Sequence, residues 1–363
     1  MAKKVKELKL SDSVLLEGEA AEYTGEGAIE VNNSTHKISA KDATDDAKGV
    51  VTSGANVAIS GGALAVNLDK AATAAGKTIP EMTIGEIFAA LGATTEPLPT
   101  SGFRVNGTDY TTFADAVAAL RNEATATLEL FEDVAISASE TYPSGSANTA
   151  GLVFCNRSKT DVRNYTVNGH GHKITLSTFA ADGILVAGYA ADMPKSNLNV
   201  AFRNFEVVCS DANVFRAFQC SNATVSFENV TANSKKKNII GINGAVITID
   251  GATLTYDGGW EPIGLDNGTG TDGASCTFNS GSVTGLPSDK AFANVENGHG
   301  TVSQLVVTGG QFDTLPTMSS DAGAAIEISG GRFKVAVTQN LCAAGYVPHD
   351  YDDGEYRYGV IAG

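Results

Sequence analysis

The feature that most constrains this chain is a phrase that it repeats. "YTVNGHGHKITL", "VAFRNFEVV", "TVSFENVTA", "VITIDGATLT", "CTFNSGSVTG", "LVVTGGQFD" and "IEISGGRFK" follow one another between Tyr165 and Lys334. Each carries an alternating apolar strand, an Asn or Gly corner and a second short strand. The corners are Asn204, Asn229, Gly251, Gly281, Gly310 and Gly331, at intervals of 25, 22, 30, 29 and 21 residues, and Gly171 precedes the first by 33. Asn and Gly tolerate left-handed backbone, so each corner reads as a tight change of direction. A unit of this length cannot bury its apolar face alone. Stacked copies bury it against one another, which is the logic of a solenoid.

Aligning the corners places Phe202, Phe227, Ile249, Phe278, Val307 and Ile328 just before the turn, as one apolar column. Phe205, Val230, Leu254, Val283, Phe312 and Phe333 follow it with slight phase drift. About eight coils at a strand spacing near 4.8 Å give a rod roughly 40 Å long. A sandwich with long hairpins is the competing arrangement, but it does not require the same corner on every pass. The expected fold is therefore mainly β, a parallel solenoid. Open coils leave pairing edges, so both ends need covers. The stretch Thr112 to Arg121, with Thr112 and Asp115 placed for a cap and Phe113, Val117 and Leu120 on one face, predicts a helix over the first coil. The Tyr-rich tail "LCAAGYVPHDYDDGEYRYGV", with its Asp353-Gly354 turn, is expected to close the last.

The first hundred residues differ. Residues 1–40 mix charged and short apolar runs and read as an extended arm. Residues 41–93 read as short Gly-rich strands followed by "TIGEIFAALG", a short helix with Ile84, Ile87, Phe88 and Leu91 on one apolar face. So short a helix has nothing nearby to bury that face, and association with copies of the same chain is expected. "ATTEPLPTSG" supplies a Pro- and Thr-rich linker over residues 94–102, and residues 103–363 form the solenoid with its caps.

The formal charge of −16 makes phosphate backbones and anionic lipid poor partners. Its basic exception, Lys235-Lys236-Lys237, reads as a solvated loop. The five cysteines are odd in number, scattered and without a CxxC, which fits small buried hydrophobes. The start of the chain has no apolar signal-peptide core, and no run reaches membrane-spanning length. No cofactor or metal is expected.

Two stretches resemble known families. "VNGTDYTTFADAVAALRNEATATLELFEDV" resembles the helical cap and first strand of pectin-lyase-like proteins, and "ISGGRFKVAVTQNLCAAGYVPHDYDDGEYRYGV" resembles the ending of many gut bacterial and phage β-helix proteins. That resemblance, over roughly 70% of the chain, implies a right-handed, single-stranded parallel β-helix. "DATDDAKGVVTSGANVAI", through Lys48, Gly49, Val50 and Val51, resembles a segment of bacteriophage head-fibre and related fibre proteins. It departs from them in continuing into Gly-rich strands rather than an Ala-rich helix. What it implies is a virion subunit, a homotrimer, assembled in the host cytoplasm and docked to capsid or another virion protein through its arm. The β-helix would then project toward a host-surface or mucosal glycan. The alternatives are a tail fibre or tailspike with depolymerase activity, and a bacterial surface adhesin.

Hydrolysis would need two carboxylates on neighbouring coils. Asp182, Asp192, Asp211, Asp257, Glu261, Asp266 and Asp272 are possible members, yet all fall in or beside turns where a solvated Asp is expected, and no pair has a catalytic spacing. His170 and His172 share a strand face, but "VNGHGHKITL" resembles a structural turn and offers no third ligand. "LDNGTGTDGAS" and "DYDDGE" fall short of calcium loops. Trp260, the single tryptophan, sits with Tyr256 in "TYDGGWEP". The pair either stacks a sugar ring or covers the solenoid's flank.

Overall fold

The computed structural model describes residues 102–142, 149–188, 194–266, 273–296, 302–319 and 323–363, with the backbone of four short strands nearer the N-terminus. The chain divides into two compact units, Met1–Leu98 and Pro99–Gly363. In the first, Ile29–Asn32, Lys37–Ala40, Ala63–Asn67 and Val57–Ser60 form an antiparallel sheet in that order, drawn from both sides of residue 40. Ile84, Ile87, Phe88 and Leu91 lie outside the described residues.

The second unit is a β-helix-like solenoid built from three parallel ladders. Each coil contributes a strand to the first ladder, turns at its corner into the second, and crosses a loop to the third. Strands of the first and second ladders belong to one 18-stranded sheet, and the third ladder is a separate 8-stranded sheet. Along the first ladder, Leu128, Val167, Phe202, Phe227, Ile249, Phe278, Val307 and Ile328 are direct neighbours in register, and all are buried. Alternation sends the residues between them outward, which is why the sequence reads with a period of two.

The second ladder corrects the expected column. Phe205 and Val230 are register partners, but Leu254 pairs back to Ala232 rather than Val230. The continuous column is Val134, Ile174, Val207, Ala232, Leu254, Val283, Phe312 and Phe333. Phe205 and Val230 lie one residue past their corners and Leu254 lies three past its own, so the expected list changes line there. A separate one-residue shift comes from the six corners. All six have positive φ, from 52° at Asn229 to 113° at Gly281. Gly281, however, is paired with Ala252, so the later glycine corners turn one residue further along than Asn204, Asn229 and Gly251. At Gly281 a Cβ would come within 2.0 Å of the Ala252 carbonyl oxygen, so the approach of the two coils itself demands glycine.

Phenylalanines fill the interior in two stacks. Phe202 stacks on Phe227 at 5.5 Å, with Phe154 and Phe218 edge-on or tilted beside them. Further along, Phe312 stacks between Phe292 and Phe333 at 4.3 and 5.0 Å. Each such pair adds about 0.5–1.5 kcal/mol beyond its buried area.

Both ends are covered. The helix Phe113–Asn122 is capped by Thr112, whose hydroxyl accepts from the Asp115 N–H at 3.2 Å, and it buries Ala116, Val117 and Leu120. Strand Phe103–Val105 pairs antiparallel with Thr125–Leu130 and so occupies the first coil's free edge. At the other end, hairpin Tyr346–Asp350 and Tyr358–Ala362 pairs antiparallel with Arg332–Phe333. No helix among the described residues is long and apolar enough to cross a membrane.

Candidate functional site: a groove on the third ladder

Inward positions of the third ladder, Leu152, Ile184, Phe218, Ile240, Ile263 and Ala293, are paired in sequence from coil to coil and buried. The residues between them face outward. In the first two coils that outer face is itself apolar and covered, with Ala150, Val153, Leu185 and Ala187 forming a small second core beside Tyr142. From the third coil onward the same line continues as Gln219, Gly241, Gly264 and Asn294. Large side chains give way to glycine, and the surface becomes a trough.

Two adjoining cavities share Arg216 and Asn243 in their linings: one of about 510 Å³ where the apolar face, with Leu185 and Ala187, gives way to Gln219, and one of about 340 Å³ over the glycines of the trough. The loops before each third-ladder strand form one wall. Arg216 lies over the glycine floor: a Cβ on Gly241 would sit 2.8 Å from its Cδ and Nε. Its Nη1 donates to Asp182 Oδ1 at 2.9 Å, while Nε is buried without a partner. One coil on, Asn238 lies over Gly264 in the same manner and donates to the Glu261 carbonyl at 2.6 Å. That bond ties the floor to the loop carrying Trp260.

Trp260 lines the smaller cavity and is 51% exposed, the largest apolar surface offered there. Its loop turns at Gly258 and Gly259, both at positive φ, and the Tyr256 hydroxyl donates to the Gly259 carbonyl at 3.3 Å. Tyr256 thus braces the loop and lines neither cavity. The lysine run folds onto the same wall. Lys235 meets Asp257 at 3.7 Å, Lys236 and Lys237 lie over the Phe215 ring at 4.4 and 4.8 Å, and Lys237 faces Trp260 at 5.2 Å. Tryptophan and lysine therefore share one rim, on which the lysine run forms a loop with Lys236 exposed.

Among the described residues, the candidate carboxylates do not gather into a catalytic pair. Asp182 is held by Arg216, Asp257 accepts from Asn233, and Glu261 faces Lys290 at 3.8 Å. Asp211 accepts from the N–H groups of Thr178 and Asn213, bonds that hold its carboxyl below the ordinary range. Asp192 and Asp272 lie outside the described residues, as does the side chain of Asp266. His170 pairs with Glu129 at 3.0 Å and stacks on Phe131, and His172 pairs with Asp133 at 3.3 Å. Among the described residues, no group of three or more His, Cys, Asp or Glu is placed to hold a metal ion.

The trough offers amide groups from Gln219, Asn238, Asn243 and Asn294, a flat glycine floor and an exposed aromatic ring. Hydroxyl-rich ligands with one apolar face suit that combination. A signal for it existed in the sequence. "IGIN" at Ile240–Asn243 and "IGLD" at Ile263–Asp266 repeat an outward glycine one coil apart, whereas Phe215 and Arg216 carry no local mark.

Residues 106–240 match a family model described as a pectate lyase-like adhesive domain, and so this part of the chain is similar to that family. No curated protein and no solved structure matches the chain.

Proposed function

We propose that the chain is an adhesive, fibre-like subunit whose solenoid binds a glycan along the third-ladder groove. The observation that carries this reading is the glycine-floored trough with Trp260 on its rim, which continues, beyond residue 240, the coils that are similar to an adhesive domain. The ring presents a face to the C–H side of a sugar, and the amides meet its hydroxyls. The fibre resemblance of residues 43–51 supports a phage virion as the setting: a head fibre or capsid decoration, docked through residues 1–40 and associated with copies of itself through Ile84, Ile87, Phe88 and Leu91. A glycan array probed with the native chain and with Trp260→Ala tests the binding. Native binding that the variant loses by tenfold or more supports it, and binding indifferent to Trp260 sinks the groove. Light scattering on the full chain tests self-association, and immunogold labelling of phage particles tests the virion setting.

The family match favours a second reading, a bacterial surface adhesin with the same groove. Labelling of bacterial cells rather than particles would select it. For either setting, release of oligosaccharides from the bound glycan would add depolymerase activity.

A further inference from the structure

We propose that the rim formed by Phe215, Lys236, Lys237 and Trp260 is a subsite for an ester sulfate or phosphate on the bound glycan. This inference rests on the glycan-binding reading above and names the chemistry of its ligand. The chain carries a formal charge of −16, and most of its described cations are matched to carboxylates: Arg203 to Glu228, Arg216 to Asp182, Lys235 to Asp257, Lys290 to Glu261. Lys236 and Lys237 differ. Neither ammonium meets a carboxylate or a side-chain hydrogen-bond acceptor among the described residues, while Asp257 and Glu261 on the neighbouring loop pair with Lys235 and Lys290. Instead both are held against one phenyl ring.

Holding two like charges against one ring is unfavourable by itself, and cation–π contact offsets only part of it. A bound anion removes the repulsion. The position is also specific. Lys237 lies between Phe215, which lines the larger cavity, and Trp260, which lines the smaller, so a substituent there belongs to a sugar lying in the groove.

The type of anion follows from the donors. A planar carboxylate is read best by a guanidinium fork, whereas ammonium groups are point charges with rotatable donors. Two of them suit an oxyanion that offers oxygens in several directions, as a sulfate or phosphate ester does. Further along, Glu296 lines the smaller cavity and accepts from Asn294, which disfavours a polymer charged on every residue. One esterified sugar near Lys237 among neutral neighbours fits both ends of the groove.

Dextran, dextran sulfate, phosphorylated dextran and carboxymethyl-dextran of matched length provide the test, titrated against the full chain at low and moderate salt. The expected result is binding of a sulfated or phosphorylated form at least tenfold tighter than the neutral or carboxymethyl form, weakening as salt rises. Which ester binds tighter identifies the group. The double variant Lys236→Gln/Lys237→Gln, both away from the core, is expected to erase the preference and keep the native fold by circular dichroism. Equal binding of carboxymethyl and sulfated forms, or an undiminished preference in the double variant, overturns the subsite. Neutral glycans bound on the array through Trp260 without any ester preference overturn the subsite alone. The absence of any glycan binding overturns the adhesive reading as well.

Discussion

Asn229 donates from its side-chain amide to Asn204 Oδ1 at 3.3 Å, one coil step away, and Asn204 repeats the bond to Asn168 at the same distance. Both donors are corner residues at positive φ, 52° and 54°. The same side chain thus tolerates the turn and stitches it to the preceding coil. Replacing Asn229 by Ala removes the stitch and places a Cβ residue without local compensation in left-handed backbone. The two losses together cost about 2 kcal/mol. Asn229→Gly restores the conformational freedom and loses only the bond, so it is expected to cost less than the alanine. Thermal and denaturant unfolding of the two variants, compared with the native chain, checks the order.

The interior is more demanding than the corners. Phe227 is 1% exposed and touches the rings of Phe202 and Phe218 at 5.5 and 4.8 Å, so its removal breaks contacts to the first and third ladders of the preceding coil. Phe227→Ala is expected to destabilise the solenoid by about 3–5 kcal/mol. Because each coil leans on its neighbours, the loss should propagate along the rod. Hydrogen exchange checks this: protection should fall in strands Leu198–Cys209 and Val246–Asp250 as well as in the mutated one.

The first two ladders could be read from sequence because their determinants are local. Alternation marks the inward residues, and a residue able to adopt positive φ marks the turn. The register shift at Gly281 was harder to see. A glycine one place late looks the same in sequence, and only its pairing with Ala252 distinguishes it. The groove was harder still. Trp260 was visible as an isolated aromatic, but its neighbours Phe215 and Arg216 come from an earlier coil, across loops of unequal length. Its floor is made by side chains that are missing, and glycine in a strand reads first as weakness.

The missing side chains are themselves testable. A Cβ on Gly264 would lie 2.6 Å from Asn238 Nδ2, the group that donates to the Glu261 carbonyl beside Trp260. Gly264→Ala is therefore expected to push Asn238 off the floor and loosen the Trp260 loop. Glycan affinity should fall tenfold or more, while the unfolding midpoint moves by only a few degrees. Titration with the best ligand from the array, alongside a thermal melt, separates the two effects.

The cysteines are unpaired. Burial drives the thiols of Cys209 and Cys276 up to about 12, and that of Cys220 higher still. Burial raises Cys155 to about 11 against the opposing pull of Arg121. The thiolate is the reactive form, so at pH 8 these four are expected to resist iodoacetamide in the native chain. Mass spectrometry after brief alkylation should find label only at the less buried Cys342, and at all five positions after denaturation. Rapid native labelling of Cys276 would show that the central coils open far more readily than their packing implies.

Asp313 holds the C-terminal end closed. It is 8% exposed, and its Oδ2 accepts from the N–H groups of Gly285 and Leu286 at 2.6 and 3.1 Å. Oδ1 accepts from the Tyr356 hydroxyl and faces Lys334, both at 2.9 Å. Burial on its own would raise this carboxyl, but the bonds from Lys334, Tyr356 and the two backbone groups outweigh it and hold it below the usual 3.8. A carboxyl depressed in the folded state contributes stability that is complete above its unfolded value and lost as pH falls through the folded one. The cap should therefore be firm at pH 5 and loosen below about pH 4. Hydrogen exchange over strand Tyr358–Ala362 at pH 5 and pH 3 reads the change directly, once corrected for intrinsic exchange rates. Asp313→Asn keeps the shape but not the charge, and should cost about 2 kcal/mol at neutral pH. It should also flatten the pH dependence of the cap, and a variant that still loosened in acid by the native amount would place the titrating group elsewhere.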